Sequence, residues 1–472
     1  MNMEVEELNE KLEQFKKDIA TKKVAVLGIG ISNTPLIKYL GSLGVKVTAF
    51  DRAEEAAIKP AMDELAGLDV EYRLGPDYLE GLKGFDVIFK TPKVRFDIPE
   101  LLREAEAGAE ITSEMEVFCK LCPARIFAVT GSDGKTTTTT LIYKILNQHG
   151  YKCWLGGNIG TPLLDRIDDI DASDMVVLEL SSFQLHTMRN RINTAVITNV
   201  SPNHLDVHKS MQEYSDAKKN IFLYQTDKDT LILNYDNPIT REFAGEAPGK
   251  VIFFSRQSNL RDDGLIVSRS KLICRTGGKD IEIVDSSDIL LPGVHNIENY
   301  LAAAAATMEL VSPKDIRNVA ASFRGVEHRN EHVRDINGVS FFNDSIGSSP
   351  TRTIATVNSF NGKVILITGG YDKHIPYDIM GEMIVNKVKC LVLIGQTAGQ
   401  IEKALKDEIA RSGKGADIPV IQCTSMEEAV QKAYGRATEK DVIVLSPASA
   451  SFDMFKNFEE RGNIFKNIVN SL

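Results

Sequence analysis

The segment Thr130-Gly131-Ser132-Asp133-Gly134-Lys135-Thr136 follows the apolar run Ile126–Val129. It precedes Leu141, Ile142, Ile145 and Leu146 at helical spacing. A strand that runs through a glycine loop into a helix N-terminus gathers backbone N–H groups and the helix dipole at one point, a cradle for phosphate oxygens. There the Lys135 ammonium neutralises β- and γ-phosphates and the Thr136 hydroxyl reaches Mg²⁺. The leading glycine of the usual pattern is absent and Thr130 stands near its place, so the loop is a shortened variant. Two further residues follow apolar runs: Glu179 ends Val176-Val-Leu-Glu, and His204 follows Ala195–Asn199. Parallel sheets bind ligands at the carboxyl ends of their strands, so both are candidate ligands of a Mg²⁺–nucleotide site. Taken singly, one reads equally as a helix-cap neighbour and the other as a loop surface residue.

Gly28-x-Gly30-x-x-Asn33 is a weaker signal. Its third glycine is missing, which predicts looser helix–strand packing, while Asp51 stands 21 residues beyond Gly30, where a carboxylate accepts from a ribose hydroxyl. Such a unit suits a uridine as well as a nicotinamide, or a scaffold with no cofactor. In the last third, Arg329 after a glycine turn and Asp344 at a strand end have the chemistry to clamp phosphate and nucleotide, or to form an ordinary surface ion pair. Cys119 and Cys122 form a lone Cys-x-x-Cys without a second pair or a nearby His, which reads as two thiols on a helical turn.

The elements that position these residues alternate. Val5, Leu8, Leu12, Phe15 and Ile19 make one helical stripe, expected to dock on its own domain. Buried strands are expected at Val24–Leu27, Lys46–Phe50, Asp86–Lys90, Ile126–Thr130, Met175–Leu180, Ala195–Asn199, Leu231–Asn234 and Val251–Phe254. Others are expected at Val364–Thr368, Cys390–Ile394 and Val442–Ser446. Repeated β–α alternation predicts an α/β protein with open, mostly parallel sheets. Asn337-Gly338 between two apolar runs predicts one antiparallel hairpin. Boundaries near residues 116 and 325 give domains of 1–115, 116–324 and 325–472, in keeping with 472 residues.

Composition excludes several classes. Hydrophobic residues are 43% and charged residues 25%, and 55 Lys+Arg against 65 Asp+Glu leave a net charge of −10. That acidic balance disfavours nucleic acid and anionic membrane as partners. No apolar run approaches the ~18 residues of a bilayer span, and the acidic opening Met-Asn-Met-Glu-Val-Glu-Glu is unlike a signal peptide. With six sparse cysteines, a cytoplasmic protein with reduced thiols is expected. The first βαβ unit alone also admits an NAD-dependent oxidoreductase, and the phosphate loop alone a regulatory nucleotide-binding module.

Further motifs narrow the choice: Gly156-Gly-Asn158-Ile-Gly160, Glu179-Leu-Ser-Ser-Phe-Gln-Leu185, Asn199-Val-Ser-Pro-Asn-His204-Leu-Asp206, Tyr214-Ser-Asp-Ala-Lys218, Gly293-Val-His-Asn296-Ile-Glu-Asn299, Glu327-His-Arg329, Asn343-Asp344-Ser345, Leu445–Ser451 and Lys456-Asn-Phe458-Glu-Glu-Arg-Gly462. Together with the phosphate loop they resemble the Mur ligases, and specifically the branch that adds D-glutamate. The resemblance implies a UDP-binding Rossmann-like domain, a central P-loop ATPase domain and a C-terminal Rossmann-like domain for the amino acid. It implies D-glutamate addition to UDP-N-acetylmuramoyl-L-alanine in peptidoglycan synthesis, with ATP and two Mg²⁺ ions and through an acyl phosphate; a monomer is expected. It assigns Gly131, Ser132, Asp133, Gly134, Lys135, Thr136, Asn296, Asn299, Arg329 and Asp344 to ATP, and Thr136, Glu179, His204 and Lys218 to metal, Lys218 as a carbamate. Lys135, Glu179, His204, Lys218 and Asp344 are the implied catalytic set. Substrate contacts fall to Ile31, Ser32, Asp51, Asn158, His204, Ser348, Lys373, Ser451 and Phe458, the last three around D-glutamate. The chain departs from the pattern at Ile346, where many members have lysine, and at Thr91-Pro-Lys93 in place of Ser-Pro-Gly.

Overall fold

In a computed structural model, residues 2–30, 32–92, 94–201, 208–257, 260, 263–291, 293–372 and 375–472 are described, without the side chains of residues 2–7. Ile31, His204 and Lys373, together with Lys93, lie outside the described residues. The chain forms two compact units, Met1–Ser322 and Phe323–Leu472.

The first unit holds two sheets. One has five parallel strands in the order Val70–Leu74, Val47–Asp51, Val24–Leu27, Val87–Lys90, Glu110–Thr112. Its central strand shows why a continuous apolar run was needed. Val24 and Val26 enter one core while Ala25 and Leu27 enter the core on the opposite face, the period-2 alternation of a strand covered on both sides. The missing third glycine does not loosen the turn as expected. Asn33 is buried, and its Nδ2 donates to the carbonyls of Leu27 (3.0 Å) and Gly28 (2.9 Å), so a side chain stitches the turn where a glycine would let backbones touch.

The second sheet has nine strands in the order Lys279–Asp285, Lys271–Thr276, Gly264–Ser268, Lys250–Ser255, Thr230–Asn234, Thr194–Ile197, Arg125–Thr130, Met175–Glu179, Cys153–Gly157. Only the first two pairs in that order are antiparallel. The strand expected to reach Asn199 stops at Ile197, because Thr198 and Asn199 turn their side chains to the phosphate loop.

The helix Asn2–Ile19 buries Leu12 and Ile19 as the stripe predicted. It also reaches past the first sheet: Lys16 pairs with Asp168 at 2.5 Å on the short helix Leu164–Asp169. Cys119 and Cys122 are buried free thiols at the end of the helix Glu114–Leu121, and burial raises both pKa values. No described helix is long and apolar enough to cross a membrane.

The second unit has one six-stranded sheet in the order Glu331–Ile336, Val339–Asn343, Val442–Leu445, Val364–Thr368, Val388–Leu393, Val420–Gln422. Its single antiparallel pair is the hairpin expected at Asn337-Gly338. Both turn residues have positive φ (49° and 79°), as a two-residue primed turn requires. Val364 and Leu366 face one core and Ile365 and Ile367 the other.

Candidate active site

The phosphate loop leaves the strand Arg125–Thr130, which pairs with Thr194–Ile197 on one side and Met175–Glu179 on the other. The carboxyl edge beside it is where doubly wound sheets open a crevice. Gly131 (φ 151°) and Gly134 (φ 79°) are obligatory there. A Cβ on Gly131 would stand 1.9 Å from Thr198 Oγ1, and one on Gly134 2.4 Å from Asn299 Oδ1. The helix Lys135–His149 begins at once, so its first-turn N–H groups have no intrahelical acceptor. Two loop N–H groups are committed elsewhere: Ser132 donates to the Asn199 carbonyl (2.9 Å) and Asp133 to Asn199 Oδ1 (3.0 Å). The anion cradle therefore falls to Gly134 and the helix start. Lys135 folds back, donating to the carbonyls of Gly131 and Ser132, both at 2.9 Å. Thr136 is buried beside it.

Lys218, on the helix Met211–Lys219, is 1% exposed and also donates to the Gly131 carbonyl at 2.9 Å. Two lysine heads thus share one acceptor. Burial first, and then the Lys135 charge, bring the Lys218 pKa down to about 6. Glu179 is 1% exposed at the end of its strand; Oε1 accepts from Asn158 Nδ2 (2.8 Å), while buried Oε2 has no hydrogen-bond partner among the described residues. Asn158 is held by its own N–H donating to the Glu179 carbonyl (2.7 Å). A stranded carboxylate oxygen beside a phosphate loop fits a hard divalent cation, whose ligands are oxygens. Thr136 and Glu179 supply that donor type.

Asn296 and Asn299 lie on one face of the helix Val294–Thr307, joined at 3.0 Å, and Asn299 Oδ1 accepts from Thr138 (3.2 Å) against the phosphate loop. The structure thus brings Gly131–Thr136, Glu179, Asn158, Lys218, Asn296 and Asn299 around one loop. Ser32 and Asp51 belong to the carboxyl edge of the first sheet. Asp51 accepts from the N–H groups of Ile29 (2.6 Å) and Ala53 (2.8 Å), which fixes its carboxylate in the Gly28 turn.

In the second unit, Asp344 is 1% exposed and enclosed. It accepts from Thr356 Oγ1 (2.7 Å), Ser446 Oγ (2.8 Å) and the N–H of Asn330 (3.2 Å), next to half-buried Arg329. Burial raises its pKa, opposed by those hydroxyls and by Arg352 and Arg329. Ser348 is half-buried just beyond Asp344, and Ser451 is buried beyond the strand Val442–Leu445. Phe458 opens the last helix, edge-on to His328 at 6.0 Å.

Two structural supports were given no role of their own in the sequence reading. Arg461 is completely buried. It donates to Ser345 Oγ (3.0 Å) and to the carbonyls of Ser345 (2.7 Å), Ser449 (3.1 Å) and Ala450 (2.9 Å), and burial lowers its pKa to about 10. It thereby ties the loop after Asp344 to the turn before Ser451. Its place on the stripe Arg461, Phe465, Val469 was the available signal. Glu114, likewise buried, accepts from the N–H groups of Leu163 (3.2 Å) and Leu164 (2.9 Å), and burial pushes its pKa up to about 7. Leu163 packs on Gly156, so Glu114 anchors the far end of the loop that carries Asn158.

Residues 22–113 match the Mur ligase MurD-like N-terminal domain, 129–307 the Mur ligase middle domain and 328–449 the Mur ligase glutamate ligase domain. A protein of Acetivibrio thermocellus named UDP-N-acetylmuramoylalanine--D-glutamate ligase is 64% identical over 465 residues, 98% of this chain and 100% of that protein. The protein of the same name from Ruminiclostridium cellulolyticum is 59% identical over the same shares of both chains. Among solved structures, the UDP-N-acetylmuramate-alanine ligase of Thermotoga maritima aligns over 95% of this chain and 99% of its own, with a TM-score of 0.56 and 19% identity, a likeness of fold. On these full-length matches, the chain belongs to the Mur ligase family.

Proposed function

We propose that the chain joins D-glutamate to UDP-N-acetylmuramoyl-L-alanine with hydrolysis of ATP in peptidoglycan synthesis, acting as a cytoplasmic monomer. The single observation that carries the chemistry is the meeting of Lys135 and Lys218 on the Gly131 carbonyl, one residue beyond a strand paired with that of Glu179. The name shared by full-length relatives supports the choice of substrates.

Lys135 sits on loop carbonyls that bound phosphate would outcompete, because a triphosphate offers full charge where a carbonyl offers a dipole. Turned to the β- and γ-phosphates, it stabilises the charge that shifts during phosphoryl transfer. Lys218, with a pKa near 6, is a neutral amine at neutral pH. Its nitrogen is then able to bond the carbon of CO₂ and release a proton, giving a carbamate anion. That exchange turns a neutral amine beside the Lys135 ammonium into an anionic oxygen donor. Thr136, Glu179, Lys218 in this form and His204 would hold two Mg²⁺ ions, which supply charge neutralisation where a carboxylate meets a triphosphate.

In the reaction, a carboxylate oxygen of the alanyl substrate bonds to the γ-phosphorus and ADP leaves. The amine of D-glutamate then bonds to the acyl carbon, phosphate leaves and the nitrogen loses a proton. Residues 1–115, with Ile31, Ser32 and Asp51, hold the UDP moiety in this reading. Residues 116–324 hold ATP, with Asn296 and Asn299 on the nucleotide side and Asn158 and His204 toward the alanyl group. Residues 325–472 admit D-glutamate between Lys373, Ser451 and Phe458, with Ser348 as a further substrate contact, and supply Arg329 and Asp344 for the nucleotide.

The test is phosphate release with ATP, Mg²⁺ and UDP-N-acetylmuramoyl-L-alanine across a panel of D- and L-amino acids. Release confined to D-glutamate is expected. Release without an amino acid, or with an L-isomer instead, would overturn the assignment.

A further inference from the structure

Beside the helix that carries Lys218, a second group of ligating side chains converges without any part in the chemistry above. His186 follows the short helix Ser182–Leu185, His208 precedes the helix Met211–Lys219, and Glu213 lies in its first turn. One ligating atom from each lies within 4.8 Å of the others. We propose that His186, His208 and Glu213 form a tetrahedral site for a borderline transition-metal ion of the Zn²⁺ class, distinct from the Mg²⁺ ligands, with water as its fourth donor.

The spacing is the first reason. His186 Nε2 stands 3.5 Å from Glu213 Oε1, and His208 Nδ1 3.7 Å from Glu213 Oε2. Both separations are long for a hydrogen bond. Two metal–ligand bonds of about 2.0–2.1 Å at a tetrahedral angle put their donor atoms about 3.3–3.4 Å apart; each imidazole stands somewhat farther than that from its own oxygen of the Glu213 carboxylate, so a bound ion would draw the three groups together. The second reason is the outer contact of His208. Its Nε2 meets Ser182 Oγ at 2.9 Å, and such a partner on one ring nitrogen orients the other toward a metal. Phe183 stacks on the same ring (5.3 Å between centroids, 9° between planes), which holds its plane. Access is the third reason: His186 and Glu213 line a cavity of about 530 Å³ together with Ser210, Asp216, Lys219 and Asn220.

Donor chemistry agrees. Arg95 keeps the Glu213 carboxyl ionised, with a pKa of about 2, and burial lowers the His186 pKa. Two imidazoles and a carboxylate select Zn²⁺ or Co²⁺ over Mg²⁺. Glu213 is not idle, since Oε1 accepts from Arg95 Nη2 at 2.8 Å and Oε2 from the N–H of Lys209. Arg95 is itself held by Asp97 through Nε (2.8 Å) and Nη2 (2.9 Å), so it keeps a partner when a metal draws on Glu213. The nearby guanidinium makes the site exchangeable, unlike a structural zinc. His208 meets the Tyr214 ring edge-on at 5.2 Å, and the Tyr214 hydroxyl bonds Ser132 in the phosphate loop at 3.0 Å. Occupation therefore reaches the loop, and Zn²⁺ is expected to slow turnover.

The full chain, in excess Mg²⁺, is titrated with Co²⁺. One equivalent should give the intense visible bands of tetrahedral Co²⁺, and Zn²⁺ should bleach them. His186→Ala, at a partly buried position, should abolish the bands and relieve Zn²⁺ inhibition while leaving activity without Zn²⁺ intact. His208→Ala should also abolish them, and Ser182→Ala should weaken binding by roughly 10–100-fold as an outer partner. Weak octahedral bands only, thiolate charge-transfer bands, or bands unchanged in His186→Ala would each overturn the site. Because Co²⁺ absorbance is read without turnover, this outcome is independent of the ligase assignment.

Discussion

The phosphate-loop region of the first unit and the carboxyl edge of the sheet in the second both bury charge, and they treat it in opposite ways. Around Gly131 the charges are left poorly matched. Lys135 and Lys218 compete for one carbonyl, and one oxygen of Glu179 has no hydrogen bond among the described residues. Around Asp344 and Arg461 they are tied down: three donors reach the carboxylate and the guanidinium makes four bonds to three residues. Buried charge is costly unless paired. The first region has two amine heads on one carbonyl and a carboxylate oxygen with no hydrogen bond among the described residues, whereas in the second the charged groups hold the loops together.

That contrast is sharpest when a charge is removed from each side. Lys135→Ala and Lys218→Ala should each lower kcat by about 10²–10³-fold or more, the loss seen when one donor to a developing charge is deleted, with the melting temperature held or raised. Added short carboxylic acids should restore part of the Lys218→Ala activity by filling the carbamate's place. Full activity in either variant would break the comparison.

Glu114 tests the same region through pH. Its pKa is raised from 4.5 to about 7, so the folded state holds a proton that the unfolded chain has released. The stabilisation from this group is therefore complete below pH 4.5 and is lost as pH rises through about 7. Unfolding free energy should drop by about 3 kcal/mol from pH 4.5 to 8 through this residue. Glu114→Gln should flatten that dependence in denaturant titrations; an unchanged slope would remove Glu114 as its source.

On the saturated side, Arg461→Met should cost about 1.5–3 kcal/mol of stability, the worth of charge-assisted hydrogen bonds, read as a fall in melting temperature. Since Arg461 acts through the loops of Ser345 and Ser451, the D-glutamate KM should rise while the ATP KM stays put. A variant with unaltered stability would show that the bonds to Ser345, Ser449 and Ala450 carry little.

The smallest effect is expected at Asn158, whose side chain touches Glu179 by one hydrogen bond of 2.8 Å. Asn158→Ala should weaken apparent Mg²⁺ affinity by roughly 10–100-fold, the range for an outer partner, with kcat at saturating Mg²⁺ nearly restored. A kcat defect that excess Mg²⁺ does not reverse would move Asn158 into direct substrate contact.

Much of this was legible in the linear chain, for local reasons. Apolar runs such as Val364–Thr368 became buried strands because a parallel strand covered on both faces has no polar positions to spare. Gly131 and Gly134 announced the loop because only glycine takes those φ values against Thr198 and Asn299. Asn337-Gly338 announced its hairpin by the same conformational need. Short edge strands such as Val70–Leu74, with no fully buried position, carried no such run and were not foreseen.

What the tertiary structure alone decided is the state of the charges and the direction of the hydrogen bonds. No local pattern shows that Lys218 loses its proton near pH 6, that Asn199 takes two loop N–H groups, or that Arg461 turns inward. Each follows from desolvation and geometry set by atoms far apart in the chain. Periodicity reports which face of an element is buried, whereas the cost and pairing of a charge depend on everything packed around it.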